Sequence, residues 1–382
     1  MATAASSPKL LTQALPRDVQ DVLYKAQRAI EAKDYQSAGT ILQKYIHKHK
    51  ERSNFLVYFT LGNAFYLEGQ LKSAYQAYAS AYHLESRFSP LCTNFATVCY
   101  ELKKYGQAGE LFESAYKCAE KPGEELLYQA AICHRQAKDF TRVKNIMERL
   151  LNGRGKATPA EWLECYVNAC LELQDWQQAE QMVVKLLDSS PADRKYWLLL
   201  AQLRAHQKKF AAAATAFAVA YTIKIPGLKE WEELAGIYRY IHVPGEAAKC
   251  LERAYGKDPS AAQCDTLAAA YLRAGRLDKA LGYVDRAIEK EPSASRYYEK
   301  GNLYYRCGQW RLAIEALRSA LELQPTLGFA HLLLGSCALA IDDVSLAVEA
   351  FNDAAGQQES RNQALASLAV LEDLTAVKAQ ER

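Results

Sequence analysis

Ten small residues recur along this chain at nearly constant spacing: Ala38, Ala74, Ala108, Val143, Ala179, Ala213, Ala247, Ala280, Ala313 and Ala347, with gaps of 33 to 36 residues. A period near 34 that carries two amphipathic apolar stretches marks an array of helix-turn-helix units, each burying its apolar face against the next. The spacing predicts an all-α fold. It also decides how to read the length, because 382 residues suggest two or three globular domains, whereas stacked units have no such size limit.

The unit is plainest over Ala294–Pro325, ASRYYEKGNLYYRCGQWRLAIEALRSALELQP. Gly301 and Ala313 are small where two helices cross, Tyr304, Leu317 and Ala320 fill the space beside the crossing, and Pro325 stops the second helix. One unit earlier Ala268, Tyr271, Ala280, Val284, Ala287 and Pro292 repeat that order. On these small, bulky and proline positions the chain resembles the tetratricopeptide repeat family, in ten units starting at residues 19, 55, 89, 124, 160, 194, 228, 261, 294 and 328. The resemblance implies a right-handed superhelical solenoid. It puts the small residue of each first helix at Ala26, Gly62, Ala96, Ala131, Val167, Ala201, Ala235, Ala268, Gly301 and Gly335. Val143 and Val167 are larger than the pattern asks, so units four and five are expected to cross less tightly. Residues 1–18 then form a flexible N-terminal segment, 19–358 the array, and 359–382 a capping helix and tail. Within that tail Ser360–Ala379 has an apolar stripe of Leu365, Leu368, Leu371 and Leu374, as the end of a stacked array requires.

Local signals follow the same period. Gly69, Gly275 and Gly308 fall between paired helices, where a left-handed residue is needed and glycine adopts it without strain. Asp34, Asp139 and Asp175 stand where a side chain can cap the next helix, and Pro244 lies in a first turn, where its missing N–H costs nothing.

Catalytic chemistry finds little support. Gly153–Thr158, GRGKAT, lacks the phosphate-loop frame and follows no strand, so it reads as a longer loop between units. The seven histidines have no metal-site spacing, and Cys133–His134 diverge as neighbours on a helix. Ten cysteines lie without a C-x-x-C pair; Cys99 and Cys170 occupy the site of Tyr238, Tyr271 and Tyr304 in other units and read as small buried hydrophobes. No catalytic residue, metal site or cofactor is expected. No apolar run is long enough for a membrane span, the nearest being Phe210–Ile223. The net charge of +3 comes from 47 basic and 44 acidic residues, with the basic excess at the start, around His47–Lys50. That balance speaks against nucleic acid, as do Glu161, Glu164, Glu172, Glu232 and Asp265 at mid-array groove sites.

In the family the first helices line a concave groove that binds peptides or proteins. Carried over, the groove holds Phe59, Asn63 and Tyr66 with Leu56, then Asn94 and Tyr100, then Tyr128 and Arg135 with Ile132. Asn63 and Asn94 match family residues that grip a peptide main chain, since an amide offers both donor and acceptor. The subgroup that clamps chaperone C-termini needs basic residues where this chain has Phe59, Glu125 and Gln129, which argues against that ligand. A second, more basic patch joins Tyr298, Asn302, Tyr305 and Arg306 to Arg239, Tyr240 and Arg273.

The sequence thus predicts a non-catalytic scaffold for a peptide or protein partner, with its oligomeric state open. The opening Leu15–Ile46 resembles bacterial tetratricopeptide proteins that accompany TonB and its ExbB and ExbD partners, which implies a periplasmic adaptor. Met1–Pro8 has neither the basic nor the apolar region of a signal peptide, yet Ala2–Pro8 is the small, polar kind of segment left after cleavage. Scattered thiols favour a reducing compartment instead. A cytoplasmic assembly adaptor and, from another class, an RNA-binding helical array are the alternatives.

Overall fold

A computed structural model of the chain describes residues 15–49, 54–152 and 158–380, with side chains through Glu372. Among the described residues there are helices and turns and no strand. Twenty of the helices follow one another as ten pairs: α1 (Arg17–Glu31) and α2 (Tyr35–His49), α3 (Phe55–Leu67) and α4 (Leu71–Leu84), α5 (Ser89–Glu101) and α6 (Tyr105–Cys118), α7 (Glu124–Gln136) and α8 (Phe140–Leu151), α9 (Ala160–Glu172) and α10 (Trp176–Ser189), α11 (Arg194–His206) and α12 (Phe210–Ile223), α13 (Leu228–Tyr240) and α14 (Pro244–Tyr255), α15 (Ala261–Arg273) and α16 (Leu277–Lys290), α17 (Ala294–Arg306) and α18 (Trp310–Leu323), α19 (Gly328–Ala340) and α20 (Val344–Gly356). A last helix, α21, spans Arg361–Gln380. The described residues form two compact blocks, one ending at Gln207 and the other beginning at Lys208. Residues 153–157 of the longer loop expected at Gly153–Thr158, the segment 1–14, Lys50 and the Leu374 side chain lie outside what is described.

Each periodic small residue is buried. Ala38, Ala74, Ala108, Val143, Ala179, Ala213, Ala280, Ala313 and Ala347 are 0% exposed and Ala247 is 1%. At the three glycine positions the side chain sixteen residues on presses against the first helix. A Cβ on Gly62 would lie 2.5 Å from the Tyr78 ring, on Gly301 2.7 Å from Leu317, and on Gly335 2.6 Å from Phe351. Ala96 and Ala201 have Phe112 and Phe217 at the same spacing, so a ring there does not by itself require glycine, and Val167 is followed by the smaller Val183. The helices of the fourth and fifth pairs meet along less of their length than those of pairs two, three and seven to ten. The first pair shares this despite Ala26 and Ala38, so the valines alone do not set it.

Between paired helices the chain always passes through one left-handed residue: Lys33, Gly69, Lys103, Lys138, Gln174, Lys208, His242, Gly275, Gly308 and Asp342, with φ between 58° and 82°. Asp34, Asp139 and Asp175 then accept from the backbone N–H three residues on, at 3.0, 3.1 and 3.2 Å, satisfying a donor the helix leaves open. Asp343 does the same at 3.1 Å, a cap the sequence reading missed. Helix α14 begins at Pro244. In α21 the buried face is Ala364 and Leu371 with Leu368 beside them, while Leu365 is 53% exposed, so the expected leucine stripe is offset by one residue at its start.

Candidate functional site

In the N-terminal block the first helices of pairs two to four carry the predicted site residues. Asn54 caps α3 by accepting from the Leu56 N–H at 2.9 Å, and Pro90 opens α5, so both helices start at fixed points. Asn63 and Asn94, 31 residues apart, meet: the Asn94 amide donates to Asn63 Oδ1 at 2.9 Å. The Tyr78 hydroxyl donates to the same oxygen at 2.7 Å. Burial raises the Tyr78 pKa, so that proton stays in place. Both acceptor sites of Asn63 Oδ1 are therefore filled. The Asn63 Nδ2 and the Asn94 Oδ1 have no partner among the described residues.

The aromatic residues around this pair divide by what holds them. Phe59 is buried, edge-on to Phe88 at 5.5 Å and beside Tyr78, so its ring serves packing more than surface. Tyr66 donates to Glu101 at 2.7 Å, and burial together with that carboxylate pushes its hydroxyl up to about 12. Tyr100 is exposed and edge-on to Tyr105. Tyr128 stacks on Trp162 with centroids 5.6 Å apart, and Arg135 is half-buried about two turns further along α7. Sequence reasoning missed Tyr78, Glu101 and Trp162. The signal for Tyr78 was present in Gly62, which leaves room for its ring.

In the C-terminal block the predicted basic patch divides. Arg239, Tyr240 and Arg273 line one open groove with Gly236, His242 and Pro244. Tyr298 and Tyr305 instead pack on the cluster around Ala313, Leu317 and Leu334, with Tyr305 edge-on to Trp310 at 5.0 Å. Asn302 is half-buried and Arg306 exposed, outside that groove lining.

All ten cysteines are free thiols, and burial pushes Cys92, Cys99 and Cys133 up to about 12 and Cys170 to about 11. Thiols held protonated are poor nucleophiles and poor metal ligands. Among the described residues no group of three or more His, Cys, Asp or Glu is placed to hold a metal, and no helix is long and apolar enough to cross a membrane.

Comparison with known proteins gives the fold a family. No curated protein matches the sequence. Among solved structures, MamA is 20% identical and aligns over 44% of this chain and 94% of its own, with a TM-score of 0.35. YrrB, described as a tetratricopeptide protein with an unusual peptide-binding site, is 17% identical over 49% and 97%, with a TM-score of 0.36. The Naa15/Naa10 complex bound to HypK-THB is 13% identical over 93% of this chain and 66% of that one, with a TM-score of 0.51. That last likeness extends the helical-repeat fold to nearly the whole chain. The tetratricopeptide repeat profile itself matches residues 167–227, 243–295, 266–325 and 298–364, so this stretch is tetratricopeptide repeat, and the buried small residues carry the same period back to Ala38.

Proposed function

We propose that this protein is a non-catalytic protein-interaction scaffold that holds an extended peptide segment against the first helices of pairs two to four. The repeat family supports the scaffold role, since such repeats typically carry interactions rather than chemistry. The asparagine pair carries the peptide reading. With Asn63 Oδ1 saturated by Asn94 and Tyr78, the Asn63 amide N–H donors and the Asn94 Oδ1 acceptor are left, held in fixed orientation. An extended backbone presents a carbonyl and an N–H to match them. Tyr66, Tyr100 and Tyr128 supply contact area beside the pair at low entropic cost.

The test is affinity capture on the wild-type chain beside a variant with Asn63, Tyr66 and Asn94 changed to alanine. A partner recovered by the wild type alone supports the reading, and equal recovery by both removes it. The finer proposal, a periplasmic adaptor of a TonB-type system, is supported by the resemblance of Leu15–Ile46 alone. ExbB, ExbD or TonB among the specifically captured proteins would sustain it. A specific partner from the cytoplasm would replace it with the assembly-adaptor reading.

A further inference from the structure

In the C-terminal block one surface carries charge without a counter-charge. Arg239 and Tyr240 end α13, and Arg273 ends α15 in the next helix pair. With Gly236, His242 and Pro244 they line an open groove of about 620 Å³. Both arginines, Tyr240 and His242 are exposed. Neither guanidinium has a carboxylate within salt-bridge distance among the described residues, although ion pairs form elsewhere in the block. Asp265, on the same helix as Arg273, is committed to Arg296 through three bonds of 2.9 to 3.1 Å. Glu246, beside the groove on α14, is committed to Lys249 at 2.7 Å.

A helix C-terminus favours a cation in its last turn, which accounts for one arginine at each end. It does not account for two arginines from successive pairs opening on one groove with a tyrosine and a histidine. Tyr240 is edge-on to Phe210 at 4.7 Å, so its ring is held in place while 67% of the residue stays exposed. His242 occupies the left-handed turn at φ 58°, as side-chain-bearing residues do in six other pairs, and here its ring lines the groove.

We propose that this groove docks an acidic segment of a partner protein, the two guanidinium forks taking side-chain carboxylates and the Tyr240 ring covering an apolar neighbour. Guanidinium is weakly hydrated and planar, so it pairs with carboxylates in two-point fashion. Nucleic acid fits less well, because it needs a continuous basic path and α13 itself carries Glu232 and Glu233. The proposal rests on the peptide-scaffold reading above and gives it a second site with a ligand chemistry.

A library of random short peptides is selected on the full chain, on the double variant Arg239→Gln/Arg273→Gln, and on Asn63→Ala/Asn94→Ala. The wild type is expected to enrich peptides with at least two acidic residues. The recovered acidic peptide should bind the arginine variant about tenfold more weakly or worse, bind the asparagine variant as tightly as wild type, and lose affinity when its acids become Gln. Arg273→Gln alone repeats the test should the double variant lose its fold. Acidic enrichment that survives the arginine changes overturns the proposal, as does tighter binding of a mixed-sequence single-stranded RNA than of the recovered peptide. Enrichment of neutral peptides lost in the asparagine variant keeps the scaffold reading and ends this one. No enrichment on any of the three ends both.

Discussion

Pairs two to four and pairs seven to nine both present aromatic and polar side chains from their first helices, yet they treat their polar groups in opposite ways. In the earlier pairs the polar atoms are tied to one another: Asn94 and Tyr78 to Asn63, and Tyr66 to Glu101. In the later pairs Arg239 and Arg273 stand exposed without a carboxylate partner. A tied network loses little entropy on binding and selects by direction, so it suits a short-range grip on a main chain. Unpaired cations act over a longer range, speed encounter and weaken with salt. One array thus holds a surface suited to holding and another suited to attracting.

The largest expected effect falls where the tied network meets the packing. Gly62→Ala would put a Cβ 2.5 Å from the Tyr78 ring and cost about 1 to 3 kcal/mol by overpacking, of which helix propensity returns up to about 1 kcal/mol. Gly236→Ala lies in the basic groove, with Arg239 Nη2 4.0 Å away as its nearest neighbour, and should stabilise by about 0.5 to 1 kcal/mol. Thermal melting of the two variants reads the difference. If both shift the same way, the two surfaces are not built on different packing.

Next in size is the polar pair itself. Asn63→Ala strips the buried Tyr78 hydroxyl of its acceptor and should cost about 1 to 2 kcal/mol. Tyr78→Phe added to it should recover part of that loss, since removing both partners is cheaper than stranding one. Arg273→Ala, exposed and unpaired, should stay within about 0.5 kcal/mol. Chemical denaturation of the three measures this, and a cost at Arg273 equal to that at Asn63 would mean the arginine has a structural partner.

A pH series sharpens the contrast inside the N-terminal block. His134 on α7 is buried, its ring against Gly109 and its Nε2 3.0 Å from Glu113 on α6. That hydrogen bond holds the Glu113 carboxyl below its ordinary value of 4.5, against the effect of burial, with Lys117 and Arg142 adding to it. A carboxyl with a depressed folded pKa contributes stability that is present above its unfolded pKa and lost as pH falls through the folded one. The wild-type melting temperature should therefore drop more steeply than that of Glu113→Gln between about pH 5 and about pH 3. Parallel curves would remove Glu113 from the account.

The sequence made the fold legible because its constraint repeats. A small residue at each crossing is a steric demand, and Ala38 through Ala347 meet it ten times in almost the same place. The three glycine turns could be read for the same reason. The seven other left-handed turns could not, because the lysines, Gln174, His242 and Asp342 that fill them carry no steric signature there. The site was legible in part: Asn63 and Asn94 followed from the family pattern, but their acceptor-sharing with Tyr78 depends on how two helices pack. The basic patch shows the limit of register alone. It placed Tyr298, Tyr305 and Arg273 on comparable positions, whereas the first two are drawn into a core by Leu317 and Leu334, and which side chains a core claims depends on neighbours several turns away.

The smallest expected effect separates a turn from a ligand site. His242 holds φ at 58°, a conformation that disfavours any residue with a Cβ. Glycine at that position relieves the strain but adds freedom to the unfolded chain, so the two terms oppose and the net gain should be about 0.5 kcal/mol. The substitution also empties the groove of one of its lining side chains. If His242→Gly raises the melting point slightly and leaves acidic-peptide affinity unchanged, the histidine serves neither turn nor ligand, and Arg239 and Arg273 alone make the attracting surface. A slightly higher melting point with weaker peptide binding assigns the histidine to the groove, since the turn would then have kept a strained residue for what its side chain meets.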